Sequence, residues 1–137
     1  MTEKTKKQKT DLKFDYKTIR SFEDACNKEG VDPEKLPDVS MIPEDFQKPV
    51  VASYKLMIIY QAINNGWRPD WNNRQQYKYF PWLSVLSSGF GFSGSGYYCT
   101  DTIAIVGSRL CFESEEKSDY AATQFIQIYK ELLTLTK

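Results

Sequence analysis

The sequence predicts an α+β domain in which a small antiparallel sheet packs against a central buried helix and a C-terminal helix. Three observations predict it. Residues 50–65 are apolar almost all round, through Val50, Val51, Ala52, Leu56, Met57, Ile58, Ile59, Ala62 and Ile63, and a helix without a polar face is a central one. Residues 77–113 lose every helix signal and read as short strands divided by Gly and Ser. From Ser114 onward Ala121, Ala122, Phe125, Ile128, Tyr129, Leu132 and Leu133 return at helical spacing. Helices, then strands, then a helix, with no internal repeat, suit segregated layers.

Taken in order, residues 1–15 hold few apolar anchors and are expected to form a disordered Lys-rich tail, leaving residues 16–137 as the single α+β domain. Ser21 is placed to cap a helix on the amide of Asp24, with acids in its first turn and Gly30 at its stop. Prolines 33, 37 and 43 keep the next segment extended, pinned by Leu36, Val39, Met41 and Ile42. Pro43-Glu44-Asp45 opens a helix that Pro49 is expected to break or restart, and Gly66 is expected in the left-handed position after Asn65. Tyr77 to Leu83 reads as a strand with Pro81 marking an edge or bulge. Ser87 to Gly96 reads as a glycine-rich hairpin or surface loop. Tyr97–Val106 and Arg109–Phe112 read as a strand pair turned at Gly107-Ser108. Ser114 caps the last helix, with Glu115 and Glu116 in its first turn.

Composition narrows the chemistry. The 137 residues carry 18 basic and 18 acidic side chains and no histidine. Without histidine there is no Ser-His-Asp or Cys-His unit and no imidazole ligand for a metal. The balance hides an asymmetry: six Lys face three acids up to Lys17, and twelve basic residues face fifteen acidic ones thereafter. An even balance argues against a protein built chiefly to hold duplex nucleic acid or an acidic membrane. Cys26, Cys99 and Cys111 show no CxxC spacing and read as reduced thiols of a cytoplasmic protein. The start shows no apolar run of a secretory signal, and the stretch 49–63, broken by Ser53, Lys55 and Gln61, is too short for a membrane span. No cofactor and no metal are called for, and no catalytic residue is assigned.

Several patterns in the sequence bear on a site. Gly89-Phe90-Gly91-Phe92-Ser93-Gly94 spells G-x-G-x-x-G, but a dinucleotide site needs a helix after the glycines, and strand-like residues follow here. Ser88 to Phe92 resembles the centre of an RNA-stacking signature, yet Ser88 replaces its basic residue and Ser95 an aromatic one. The segment Trp67 to Tyr98 holds ten of the twenty aromatics and all three tryptophans. Its candidate binding residues are Trp67, Arg68, Trp71, Arg74, Tyr77, Lys78, Tyr79, Trp82, Phe90 and Phe92, either as a stacking surface with basic flanks or as core between sheet and helices. Alternation places Tyr77, Tyr79 and Pro81 on one face, and Lys78, Phe80 and Trp82 on the other. Asp70, Asp101 and Glu113 pair at no fixed spacing, so acid–base chemistry has little support. Cys99 and Cys111 read first as small buried hydrophobes.

Three stretches, Gly66-Trp67-Arg68-Pro69-Asp70-Trp71-Asn72, Tyr77-Lys78-Tyr79-Phe80-Pro81-Trp82 and Gly107-Ser108-Arg109-Leu110-Cys111-Phe112, with Phe125 and Tyr129-Lys130, carry a resemblance over roughly residues 20–134. The chain resembles a group of small uncharacterised proteins encoded by phages, prophages and mobile elements of gut bacteria. That resemblance implies a setting inside a bacterial cell and no chemistry. The expectation is a non-enzymatic binding or accessory protein acting through the aromatic and glycine-rich surface, with a protein partner or self-association. The alternatives are a single-stranded nucleic-acid binder and, third, a small enzyme built on Cys99 or Cys111.

Overall fold

A computed structural model describes residues 14–104 and 106–135. The tail expected over residues 1–15 lies outside the described residues up to position 13. Phe14 and Asp15 are described, and Asp15 caps a single 3-10 turn at Tyr16–Thr18 by accepting the Lys17 amide at 2.9 Å. Helix α1 (Phe22–Glu29) begins as expected: Ser21 Oγ accepts the Asp24 amide at 3.0 Å, and the helix stops at Gly30. Its buried Phe22, Ala25 and Cys26 lie on the long second helix.

Helix α2 runs unbroken over Glu44–Asn64, so Pro49 neither breaks nor restarts it. At the sixth helical residue Pro49 removes only the bond to the Asp45 carbonyl, and Asp45 is exposed, where water can take that bond. The left-handed cap is Asn65, one residue earlier than expected, with Gly66 also at positive φ. Leu56, Ile59, Ala62 and Ile63 are fully buried, but Val50 and Met57 are exposed, so the helix is central without being enclosed on every side.

The sheet is one antiparallel hairpin, β1 (Lys78–Leu86) and β2 (Gly89–Tyr98), turned at Ser87-Ser88. The glycine-rich segment is therefore mostly strand. Among the described residues the pair expected at 97–106 and 109–112 does not form. Between Thr102 and Gly107 the bonds are local instead: Ile103 O accepts the amides of Val106 and Gly107 at 3.1 and 2.9 Å, and Thr102 Oγ donates to Gly107 O at 2.8 Å. Among the described residues of this segment only Phe112 returns to the sheet, exchanging two backbone bonds with Tyr79 at 3.0 and 2.7 Å.

The C-terminal helix is two helices, α3 (Glu115–Gln124) and α4 (Ile126–Leu133), parted at buried Phe125 (φ −111°, ψ 27°). They pack on different partners. Small buried residues of α3 (Ser118, Ala121, Ala122) let it approach both strands, whereas α4 lies on α2, and the break re-aims the apolar stripe from one to the other. Ser95 of β2 fixes α3 through Ser118 Oγ at 2.7 Å and Asp119 Oδ1 at 2.6 Å. The α+β class thus holds, with a two-stranded sheet packed on helices.

A bulge sits where Trp82 of β1 opposes Ser93 and Gly94 of β2, and Gly94 takes φ +112°. Beyond it the Trp82 indole lies on Gly96, where a Cβ would stand 2.7 Å from Nε1. Gly96→Ala is expected to push the indole off the strand. Because Trp82 is half exposed and can swing away, the cost should be about 1 kcal/mol. The check is tryptophan emission: a red shift is expected, and an unchanged spectrum would contradict this contact.

Candidate functional site

A groove of about 360 Å³ opens between one face of α2, the loop after it, and the loop before Phe112. Helix α2 supplies Met57, Tyr60, Gln61 and Asn64. The first loop supplies Trp67, Arg68, Pro69 and Trp71, and the second Ser108 and Arg109. The charged residues lining it are Arg68 and Arg109, and no acidic residue lines it. Neither arginine forms an ion pair among the described residues, where Lys117–Glu113 at 2.8 Å is the sole pair. The nearest acid in sequence to Arg68, Asp70, does not line the groove, and its Oδ1 accepts the Asn72 amide at 3.0 Å.

The walls are held by side chains that bridge distant segments. Asn64 donates from Nδ2 to Cys111 O at 2.9 Å and accepts the Glu113 amide on Oδ1 at 3.2 Å, tying the end of α2 to the approach of α3. Trp71 Nε1 donates to Ser108 O at 3.3 Å, joining the two loops across the groove. Gln76 closes the first loop, accepting the Asp70 amide at 2.6 Å and donating to Arg68 O at 3.4 Å. At the floor Tyr60 stacks on Phe112 (centroids 4.0 Å, 19°), and its hydroxyl meets that of Tyr129. Burial pushes both phenols well above the ordinary tyrosine range, so they stay neutral.

Among the residues singled out in the sequence, the structure brings Trp67, Arg68 and Trp71 together in the groove. Arg74 is exposed on the loop outside it. Lys78, expected on the basic flank of a surface, is instead 1% exposed and beyond a ligand's reach. Its ammonium donates to the carbonyls of Cys99, Gln76 and Asn73 at 2.7, 2.9 and 3.1 Å and lies 5.1 Å from the centre of the Trp71 ring. All three of its protons are used, so it pins the Trp71 loop to the end of β2.

The hairpin aromatics form two groups. Tyr77 and Tyr97 stack at 4.4 Å with Tyr79 against both, while Phe80 stacks on Tyr98 at 4.7 Å and meets Trp82 edge-on. Phe80 is buried; Tyr79 and Phe90 are half-buried against the core. Trp82 (50% exposed), Val85 (59%) and Leu86 (66%) stand in solvent with Phe92. Arg109, Met57 and Gln61 are groove residues that the sequence reading did not place in a site. The one local hint was the turn signal Gly107-Ser108, which carries Arg109 to the groove mouth.

The thiols form no cluster. Cys111 is buried, its thiol pushed up to about 11 by that burial against the opposing pull of the Lys78 ammonium, and Cys99 is half-buried. Among the described residues no group of three acidic or thiol side chains is placed to hold a metal ion, and no helix is long and apolar enough to cross a membrane. Comparison with protein-family models, with curated proteins and with solved structures found no match to this chain.

Proposed function

We propose that the protein works by binding another protein chain through the β1–β2 hairpin, as a non-enzymatic accessory factor in the cytoplasm of a bacterial cell carrying a phage or mobile element. The resemblance supports only the setting. The observation that carries the binding role is the far half of the hairpin, where Val85 and Phe92 are exposed on one face and Trp82 and Leu86 on the other. From Tyr79 to Thr100 the hairpin holds no charged residue. Strand β2 pairs only with β1 among the described residues, so its outer N–H and C=O groups face away from the sheet. Edges of this kind are usually blunted with Lys or Pro, and β2 carries neither. An added strand would satisfy those groups, and the apolar side chains beside it would supply the desolvation that makes an interface hold. A second copy is the simplest such strand, because antiparallel pairing makes an edge complementary to itself.

Sedimentation velocity on the full chain tests this, with Phe92→Lys as the comparison. Phe92 is 36% exposed and lies outside the core cluster, and a thermal melt shows whether Phe92→Lys keeps its fold. Concentration-dependent dimerisation that Phe92→Lys abolishes is the expected result; a monomer whose capture of one bacterial protein is lost with Phe92→Lys also supports the reading. It is overturned if the chain is monomeric at about 100 µM and the substitution changes nothing that it captures.

A further inference from the structure

We propose that the groove between α2 and its two loops is a nucleotide site, in which Arg68 and Arg109 take a phosphate and the indoles of Trp67 and Trp71 frame a planar base. This goes beyond the hairpin reading and rests on none of its residues.

The charge pattern points to an anion. From Thr18 onward acidic residues outnumber basic ones fifteen to twelve, yet this groove is lined by two arginines and no acidic residue. An arginine on an acidic surface ordinarily finds a carboxylate, and here the nearby acids are engaged elsewhere: Asp70 with its own loop, Glu113 with Lys117. Two guanidiniums match the double charge and several oxygens of a phosphate better than the single charge of a carboxylate. The two half-buried tryptophans add large flat surfaces at the same opening, and base stacking on such rings is tolerant of sequence. A volume of about 360 Å³ is at the small end of ligand pockets and suits one nucleotide rather than a dinucleotide.

The groove is also prepared in advance. The Trp71–Ser108 bond, the Gln76 clamp, the Lys78 anchor and the Asn64 bridge fix each wall before any ligand arrives. Ordering cost on binding is correspondingly small. Gln61 and Asn64 line the groove as well, but both polar ends of the Asn64 amide are occupied, which leaves Gln61 as the helix residue with a free amide to read a base edge.

A free mononucleotide and one unit of a single strand present the same chemistry. The test therefore titrates the full chain by calorimetry with AMP, CMP, inorganic phosphate, N-acetylphenylalanine and a short single-stranded oligonucleotide. Saturable one-to-one binding of a mononucleotide or of the oligonucleotide is expected, weakened at least about tenfold by Arg68→Ala and by Arg109→Ala. Mononucleotide binding assigns the free ligand, and binding of the oligonucleotide alone assigns the strand. Both arginines are exposed, and a thermal melt of each variant shows whether its fold is intact; a variant that melts early is replaced by Arg68→Gln or Arg109→Gln. The proposal fails if neither probe binds at about 1 mM, if binding survives both substitutions in folded protein, or if phosphate or N-acetylphenylalanine binds as tightly as the nucleotides.

Discussion

Lys78→Met is expected to destabilise the protein by about 3 kcal/mol, which lowers the melting temperature by roughly 10 °C in a domain of this size. Methionine keeps most of the apolar stem and removes only the ammonium, so the loss reports the polar contacts. Three carbonyls, from Asn73, Gln76 and Cys99, converge on that ammonium, and Trp71 covers it. Hydrogen bonds to a charged group contribute about 1.5–3 kcal/mol each, but three sharing one donor atom do not add, and the ammonium's own desolvation opposes them. The net sign follows from what is left behind: the stem is 1% exposed, so the freed carbonyls must break the loop open to reach water. Lys78→Arg should not restore stability, since a planar fork cannot aim three donors at carbonyls gathered around a point. Hydrogen exchange should show the damage first in residues 70–77, and the Trp71 side of the groove should loosen with it. A methionine variant as stable as the parent chain would mean that the ammonium's desolvation cancels its three bonds.

That lysine also shows where the sequence stopped being readable. Alternation along Tyr77 to Trp82 placed Lys78 with Phe80 on one face, and the structure groups these residues accordingly. Period 2 states a face and says nothing of depth, and the carbonyls that bury Lys78 come from a loop before it and a strand end after it. Local signals fared well because their partners are local. The Ser21 and Ser114 caps each bond an amide three residues on, and both form. The α+β class and the central helix were readable from apolar spacing alone. Strand β2 was legible only as one of two options, hairpin or surface loop, because Gly and Ser have weak strand preference and its order comes from pairing with β1. The break at Phe125 was hidden for a related reason: one stripe of apolar residues serves two packing partners, and spacing does not record which partner each half meets. The groove was half legible. Trp67, Arg68 and Trp71 lie within five residues, but Arg109 joins them only through a bond between Trp71 and Ser108.

Phe112→Ala is expected to be the most damaging single change, at about 4 kcal/mol. Phe112 is fully buried, so truncation removes a ring's worth of apolar burial and leaves a cavity that the surrounding helices cannot close. Its ring stacks on Tyr60, and losing that pair frees Tyr60 to shift away from the Tyr129 hydroxyl it meets in the core. The position also joins the two halves of the fold. Among the described residues its backbone is the one bridge between β1 and the chain leading into α3, through Tyr79, while its side chain sits in the helical core. A two-stranded hairpin is marginal by itself, so weakening this joint should release the hairpin before the helices unfold. Denaturant unfolding followed by far-UV dichroism measures the total cost. Hydrogen exchange should show β1 and β2 amides losing protection ahead of those in α1 and α2. If both halves lose protection together the hairpin is not a separable unit, and a cost below about 1 kcal/mol would mean that Tyr60 and its neighbours close the cavity after all.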